Sequence, residues 1–239
     1  MEEFKKNIKN FINNIKKKIK KNKISCSVIL ISVIISVGLM LNRKNSENEF
    51  KFYDENNELI DHKSLEVTEQ EQAEKYIDEN DKVLELGARY GTVSCLVNRK
   101  LKNKKDHYVV EPDKNVWPSL EKNKKINNSE FTIIKGVIGK QNMKLEGGGY
   151  GIRSIPSDNP EIELYSIPNV KFNTLIVDCE GCFENFYNEN KDFVKGLNKI
   201  MYETDVSDKC DYNYIKNELL SDGFKVVENN NNFHYVLMR

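Results

Sequence analysis

The sequence predicts an α/β protein with a doubly wound (Rossmann-like) fold, in which a mostly parallel seven-stranded sheet has an antiparallel last strand. An N-terminal transmembrane helix is expected to precede it. Three observations support this fold class. Short apolar runs alternate with helical segments from Lys82 onward. The last two runs flank the polar segment 228–232, which indicates a hairpin, and an uncharged apolar stretch covers residues 24–41.

The N-terminal residues predict a membrane anchor. Residues 1–23 contain nine Lys and two Glu, with apolar side chains three and four apart, which predicts a basic amphipathic tail on an anionic membrane surface or a disordered basic tail. Residues 24–41 contain no charged residue, Pro, Asn or Gln. As a helix they span roughly 27 Å, close to the hydrocarbon thickness of about 30 Å. No small-x-small cleavage site follows, so a single-pass anchor is favoured over a cleaved signal peptide.

Charge indicates the orientation and restricts the partners. The positive-inside rule places the Lys-rich N-terminus in the cytoplasm and the body across the membrane, although Arg43 and Lys44 weaken this bias and leave the orientation of the body open. Residues 43–239 carry 28 basic and 35 acidic side chains, a balance that argues against a nucleic-acid partner. The oligomeric state is not predicted.

The remaining chain divides into a polar linker, 42–65, with one short strand near Phe50, and a folded domain, 66–239. The Gly- and Pro-rich segment 139–171 interrupts the alternation and predicts a flap on the substrate side. Strands are expected over 82–86, 107–110, 131–135, 174–177, 199–203, 224–227 and 233–238. Helices are expected over 67–77, over 92–101, around Trp117 and Leu120, from about Phe183, and over 212–220.

The first strand ends in a glycine turn that predicts a cofactor site. Gly87 and Gly91 let the backbone bend before the next helix, whose free N–H groups can face a ligand. Glu111 ends the following strand and is placed to accept hydrogen bonds from two ribose hydroxyls. A dinucleotide fingerprint has one more glycine, whereas here Glu85 precedes the turn. This pattern favours S-adenosylmethionine, which carries a cationic amino-acid group and no phosphate.

A second motif carries a family resemblance. Residues 172–184 end in Asp-Cys-Glu-Gly-Cys-Phe-Glu and resemble the signature of the FkbM-like methyltransferases, in which a strand ends in an Asp-x-Glu-Gly-x-Glu run. Segments 133–139 and 200–203 and the hairpin after Gly223 are similar to that family too. The resemblance covers 66–239 and implies methyl transfer from S-adenosylmethionine, usually to a hydroxyl of a sugar or small metabolite. Such a reaction depends mostly on positioning, helped by a base near the hydroxyl.

These arguments give two sets of candidate residues and no metal ligands. The expected catalytic residues are Asp178, Glu180, Glu184 and Glu203, with Glu184 facing Glu180 one helical turn on. The expected cofactor-binding residues are Glu85, Gly87, Ala88, Gly91, Glu111, Pro112, Gly136, Val137 and Asp178. His107 is expected to be structural, and His62 and His234 join no recognisable cluster.

Several alternatives stay open. Cys179 and Cys182 form a Cys-x-x-Cys that is interpreted as free thiols, with a redox pair or a zinc site as the less favoured readings. The bulky Arg89 and Tyr90 depart from the family pattern and must point away from the cofactor. If they fill its pocket, the chain is a catalytically inactive membrane-tethered interaction module. A nicotinamide-dependent oxidoreductase is the third reading, disfavoured by the missing glycines.

Overall fold

The computed structural model describes residues 49–206 and 208–239, together with Asn10 and Asn13. The predicted tail, 1–23, lies outside the described residues except for those two positions, and the predicted anchor, 24–41, lies outside them entirely. Among the helices of the described residues, none has the length and apolar character needed to cross a membrane. Lys51–Arg239 form one compact unit.

Strands and helices alternate along this unit. Its strands are β1 (Phe52–Tyr53), β2 (Leu59–Ile60), β3 (Val83–Leu86), β4 (His107–Val110), β5 (Thr132–Ile134), β6 (Val137–Ile138), β7 (Met143–Glu146), β8 (Arg153–Pro156), β9 (Leu164–Tyr165), β10 (Thr174–Val177), β11 (Lys199–Glu203), β12 (Lys225–Asn230) and β13 (His234–Met238). Its helices are α1 (Val67–Tyr76), α2 (Thr92–Lys100), α3 (Trp117–Ile126), α4 (Phe183–Glu189), α5 (Lys191–Lys195) and α6 (Tyr212–Ser221).

The central sheet has seven strands in the order β12-β13-β11-β10-β3-β4-β5. Neighbouring strands from β11 to β5 are parallel, whereas β13 is antiparallel to both β11 and β12. The predicted sheet is therefore confirmed, including its antiparallel last strand. From β3 the chain first adds β4 and β5 on one side and later adds β10 and β11 on the other. This reversal leaves a crevice beyond the carboxyl ends of β3 and β10, where doubly wound sheets bind ligands.

The two central strands are buried along their whole length. All four residues of β3 and all four of β10 are buried. Strands covered on both faces carry continuous apolar runs rather than alternating ones. Buried side chains of β10, β11, β13, α4 and α6 belong to one core cluster, which includes Leu175, Ile200, Leu237, Phe183 and Leu219. This core fixes the strand ends that form the crevice.

The segment predicted as a linker is partly folded. β1 and β2 form an antiparallel pair, and the Phe52 side chain is fully buried. The Asn123 side chain of α3 donates to the Tyr53 carbonyl and accepts from its N–H, both at 2.9 Å. Residues 51–65 therefore belong to the compact unit, because an apolar side chain and a buried amide tie them to α3.

The segment predicted as a flap contains two small sheets. β6 pairs with β9 in parallel, and β7 pairs with β8 antiparallel, with a 3₁₀ turn, Gly149–Gly151, between β7 and β8. Gly136 precedes β6, and a Cβ there would lie 2.2 Å from the Glu163 carbonyl oxygen. Gly136 thus permits the close approach of these two segments.

Candidate functional site

A cavity occupies the crevice predicted by the sheet order. It lies against the carboxyl ends of β3, β4 and β10 and is closed by residues of the 139–171 segment. The predicted cofactor residues that line it are Glu85, Gly87, Ala88, Glu111, Pro112, Val137 and Asp178. Gly91 and Gly136 do not line it, which corrects their prediction.

The glycine turn brings β3 close to β10. Gly87 has φ +87°, and a Cβ on it would lie 1.6 Å from the carbonyl oxygen of Asp178. Only glycine adopts this conformation without strain and leaves room for the neighbouring backbone. Gly91 also has positive φ, but it precedes α2, and a Cβ on it would lie 2.8 Å from Leu120 Cδ1. Its role is therefore packing behind the cavity wall.

Glu111 is bound by the glycine turn itself. One carboxylate oxygen, Oε2, accepts from the N–H groups of Arg89 at 2.7 Å and Ala88 at 3.3 Å, and Oε1 accepts from Asp113 N–H at 2.7 Å. Burial raises the pKa of Glu111, and these three hydrogen bonds oppose that shift. A carboxylate has about four acceptor positions. Glu111 therefore has about one position left for a ligand in this conformation, where two ribose contacts were expected.

Glu85 faces a partner inside the protein. Its carboxylate accepts from Ser94 Oγ at 2.6 Å and lies 2.8 Å from His107 Nε2, and the Glu85 residue is 2% exposed. His107 is fully buried. A cofactor ammonium that binds Glu85 would therefore have to compete with Ser94 and His107 for its carboxylate.

Arg89 and Tyr90 leave the turn in different directions. Tyr90 is buried away from the cavity, with its hydroxyl on Glu55. Arg89 lines the cavity, donates to the Gly149 carbonyl at 2.7 Å and stacks on the Tyr150 ring at 3.9 Å. The requirement that both point away is therefore met by Tyr90 and not by Arg89, which links the turn to the flap.

Two of the predicted catalytic acids lie on the cavity wall. Burial, followed by the charge of Glu203, raises the pKa of Asp178 well above its usual range. Burial and the charge of Asp205 raise the pKa of Glu180, and the positive charges of Arg153 and Arg89 partly oppose this shift. Both carboxyls can therefore hold or accept a proton nearer neutral pH than ordinary carboxyls do.

The other two predicted acids lie elsewhere. Glu184 Oε2 accepts from Asp211 N–H at 2.8 Å and lines a second groove beside Tyr202 and Tyr212. Glu180 has φ +55° and lies before α4, so helical spacing does not connect it with Glu184. Glu203 does not line the cavity but joins Glu69 and His234.

The Cys-x-x-Cys forms a bond rather than two free thiols. Cys179 and Cys182 are joined by a disulfide, with Cα atoms 5.5 Å apart, and both line the cavity. The prediction of free thiols was wrong because the turn at Glu180 and Gly181, both with positive φ, brings the two cysteines together.

One cluster of side chains was missed by the sequence reasoning. Ligand atoms of Glu69, Glu203 and His234 lie within 4.8 Å of one another. Burial, followed by the charge of Glu69, raises the pKa of Glu203 to about 7. Glu66 next to α1 is likewise raised to a pKa of about 7 by burial. No local motif signals this cluster, because α1, β11 and β13 supply its members from distant parts of the chain.

Comparisons with known proteins give fold likenesses alone. No family model and no curated protein matches the chain. A ribosomal protein L11 methylase from Lactobacillus delbrueckii subsp. bulgaricus is 10% identical, over 72% of this chain and 76% of that chain, at TM-score 0.46. A precorrin-6y C5,15-methyltransferase from Geobacter metallireducens GS-15 is 12% identical, over 74% and 89%, at TM-score 0.47. A tRNA (uracil-54, C5)-methyltransferase from Pyrococcus abyssi, in complex with S-adenosyl-L-homocysteine, is 14% identical, over 72% and 36%, at TM-score 0.39. At TM-scores below 0.5 these likenesses assign no activity to this chain.

Proposed function

We propose that this protein is a membrane-anchored methyltransferase that transfers the methyl group of S-adenosylmethionine to a hydroxyl of a sugar or small metabolite. The observation that carries the proposal is the composition of one cavity. Its wall combines the glycine turn at Gly87, the acid Glu111 at the end of β4 and the acids Asp178 and Glu180 after β10. A nucleoside site and candidate bases thus share one crevice.

The proposed binding mode follows from the free positions around Glu111. Its carboxylate keeps about one acceptor position after its three backbone hydrogen bonds. One ribose hydroxyl takes that position, and a second displaces the longest contact, that of Ala88 N–H. The adenine then lies along the apolar side of the cavity near Val110 and Val137.

Catalysis is proposed to depend on positioning and on one base. A hydroxyl is a weak nucleophile, and a carboxylate nearby takes its proton as the methyl group is transferred. Asp178 is the first candidate, because its raised pKa brings proton acceptance closer to neutral pH. Arg89 and Tyr150 stack on each other and line the flap side of the cavity.

One observation favours a second candidate function. Arg89 extends along the cavity to the Gly149 carbonyl, where a ligand would otherwise have access. If that contact persists, the cavity stays closed and the chain acts as an inactive interaction module tethered to the membrane. Cofactor binding separates the two candidates.

The proposed location is a single-pass membrane protein with its N-terminus in the cytoplasm. The disulfide between Cys179 and Cys182 supports a body on the oxidising side, since disulfides persist in such compartments. A body on that side requires a supply of cofactor across the membrane. Protease digestion of sealed vesicles tests the orientation, because cleavage of the body from the cytoplasmic side would refute it.

Calorimetric titration of the full-length protein in detergent micelles tests the cofactor. We expect one equivalent of S-adenosylmethionine to bind, whereas NAD⁺ does not. Glu111→Ala removes a charged acceptor, a hydrogen bond worth about 1.5–3 kcal/mol, and should weaken binding roughly 10- to 150-fold. The matched control is Glu121→Ala on the exposed side of α3, where Glu121 pairs with Lys135, and it should leave affinity unchanged. Absence of binding at millimolar S-adenosylmethionine would refute the enzyme and leave the inactive module.

A further inference from the structure

Three side chains from three separate elements converge beside the cavity. His234 Nε2 lies 2.9 Å from Glu69 Oε1 and 4.0 Å from Glu203 Oε1, and the three ligand atoms are mutually within 4.8 Å. Their side chains are 13–15% exposed. Ligand atoms about 2.0–2.2 Å from a tetrahedral ion lie about 3.3–3.6 Å from each other. The observed spacing therefore needs only small side-chain movements to receive an ion.

The surroundings of this cluster are acidic. The Asp178 carboxyl lies within electrostatic range of Glu203 and Glu69. The charges that act on it most strongly are those of Glu203, Glu66, Glu69 and Asp205, all acidic. One oxygen of Asp205, Oδ2, is buried and also lacks a partner within the described residues. A divalent cation bound by Glu69, Glu203 and His234 would be attracted by this acidic environment.

We propose that Glu69, Glu203 and His234 bind a divalent transition-metal ion, with water at the remaining position. The imidazole ligand favours the zinc-like ions over magnesium and calcium, which prefer sites made of oxygen atoms only. Zinc accepts both imidazole nitrogen and carboxylate oxygen as ligands, so all three side chains are of a suitable type. The inference does not depend on methyl transfer, because it rests on these side chains alone.

The competing explanation is an internal ion pair between His234 and Glu69. In that explanation one imidazole is shared between two carboxylates, with Glu69 at 2.9 Å and Glu203 at 4.0 Å. The two explanations differ in their response to zinc. A histidine that binds zinc must release the proton from the nitrogen that binds, and its imidazole resonances then shift.

The test is a zinc titration of the full-length protein. The protein is first freed of metal and is kept in detergent micelles at neutral pH. The sequence has three histidines, so ¹⁵N-histidine NMR observes all of them at once. We expect one equivalent of Zn²⁺ to bind and to shift the His234 imidazole resonances while His62 and His107 stay unchanged. This measurement on the wild type needs no variant.

Calorimetry on variants supplies the second arm. Glu203→Gln and His234→Gln should each weaken Zn²⁺ binding at least tenfold, whereas Glu218→Gln on α6 and His62→Gln should not. Failure of Zn²⁺ to bind saturably, unchanged affinity in His234→Gln, or a zinc shift at His62 would overturn the proposal. Equal affinity for Mg²⁺ and Zn²⁺ would overturn the assignment to a transition metal. None of these results depends on whether S-adenosylmethionine binds.

Discussion

The acids at the carboxyl ends of β3 and β4 have hydrogen-bond partners, whereas those at the carboxyl ends of β10 and β11 lie mainly near other acids. At β3 and β4, Glu85 is paired with Ser94 and His107, and Glu111 accepts three backbone N–H groups. At β10 and β11, Asp178 and Glu203 face mainly other carboxylates. Buried charges without partners destabilise a fold and are tolerated chiefly at functional sites. The acids at the ends of β3 and β4 are therefore satisfied within the fold, and we expect the ends of β10 and β11 to be where protons or cations are held.

The largest expected effect comes from separating the ends of β3 and β10. In Gly87→Ala, the new Cβ would overlap the Asp178 carbonyl oxygen, 1.6 Å away, and require a left-handed backbone. We expect a loss of at least about 3 kcal/mol in the free energy of unfolding, or no folded protein. Gly148→Ala is the control. A Cβ built on Gly148 would have no neighbouring atom within 4 Å, and the φ of −168° suits any residue. Denaturant unfolding measures both, and equal stability of the two variants would contradict the close approach.

A loss of comparable size should follow from removing a partner of the buried Glu85. His107→Ala leaves the buried Glu85 carboxylate with Ser94 as its remaining partner, and we expect a cost of about 3–5 kcal/mol. The double variant Glu85→Leu, His107→Leu removes both polar groups and should be more stable than the single one. If the single variant lost less than about 1 kcal/mol, the pair would not support the fold.

A substitution among the acids at the ends of β10 and β11 should raise the free energy of unfolding rather than lower it. Asp178→Asn removes a buried charge among acids and should raise the free energy of unfolding by about 1 kcal/mol at pH 8 while abolishing methyl transfer. The folded state raises the pKa of Asp178, so it binds the proton more tightly than the unfolded chain does. Stability from this group is therefore lost as pH rises above about 4, the unfolded pKa.

Stability measured from pH 4 to 8 checks this sign. The wild type should lose more stability over that range than Asp178→Asn, because Glu66 and Glu203 contribute the same trend in both proteins. A decrease in stability of Asp178→Asn at pH 8 would mean that Asp178 has a stabilising partner.

Much of the fold was predictable because its signals are local. The buried strands 107–110, 174–177 and 199–203 have the predicted bounds, since each contains a short continuous apolar run. The alternation with helices indicated the mostly parallel seven-stranded sheet, whereas the order of its strands was not predicted. The hairpin at 52–60 was missed, because its burial depends on one phenylalanine and on a contact with α3.

The candidate site was predictable only in part. Gly87 and Glu111 were found because turn and strand end lie in recognisable spacing, and both line the cavity. The placement of Glu184 was wrong because a helical spacing was extended across a turn with positive φ at Glu180. His234 was missed because its partners are 165 and 31 residues away, which no motif encodes.

Photo-crosslinking of methyl-labelled S-adenosylmethionine to the full-length protein tests the central claim most directly. After tryptic digestion, we expect the label in the peptide Val83–Arg89, which contains the glycine turn, and in peptides that carry Glu111 or Asp178. Glu111→Ala should reduce this labelling, and excess S-adenosylhomocysteine should prevent it. Label confined to the second groove beside Tyr202 and Tyr212, or no specific label, would contradict the assignment of the cavity to S-adenosylmethionine.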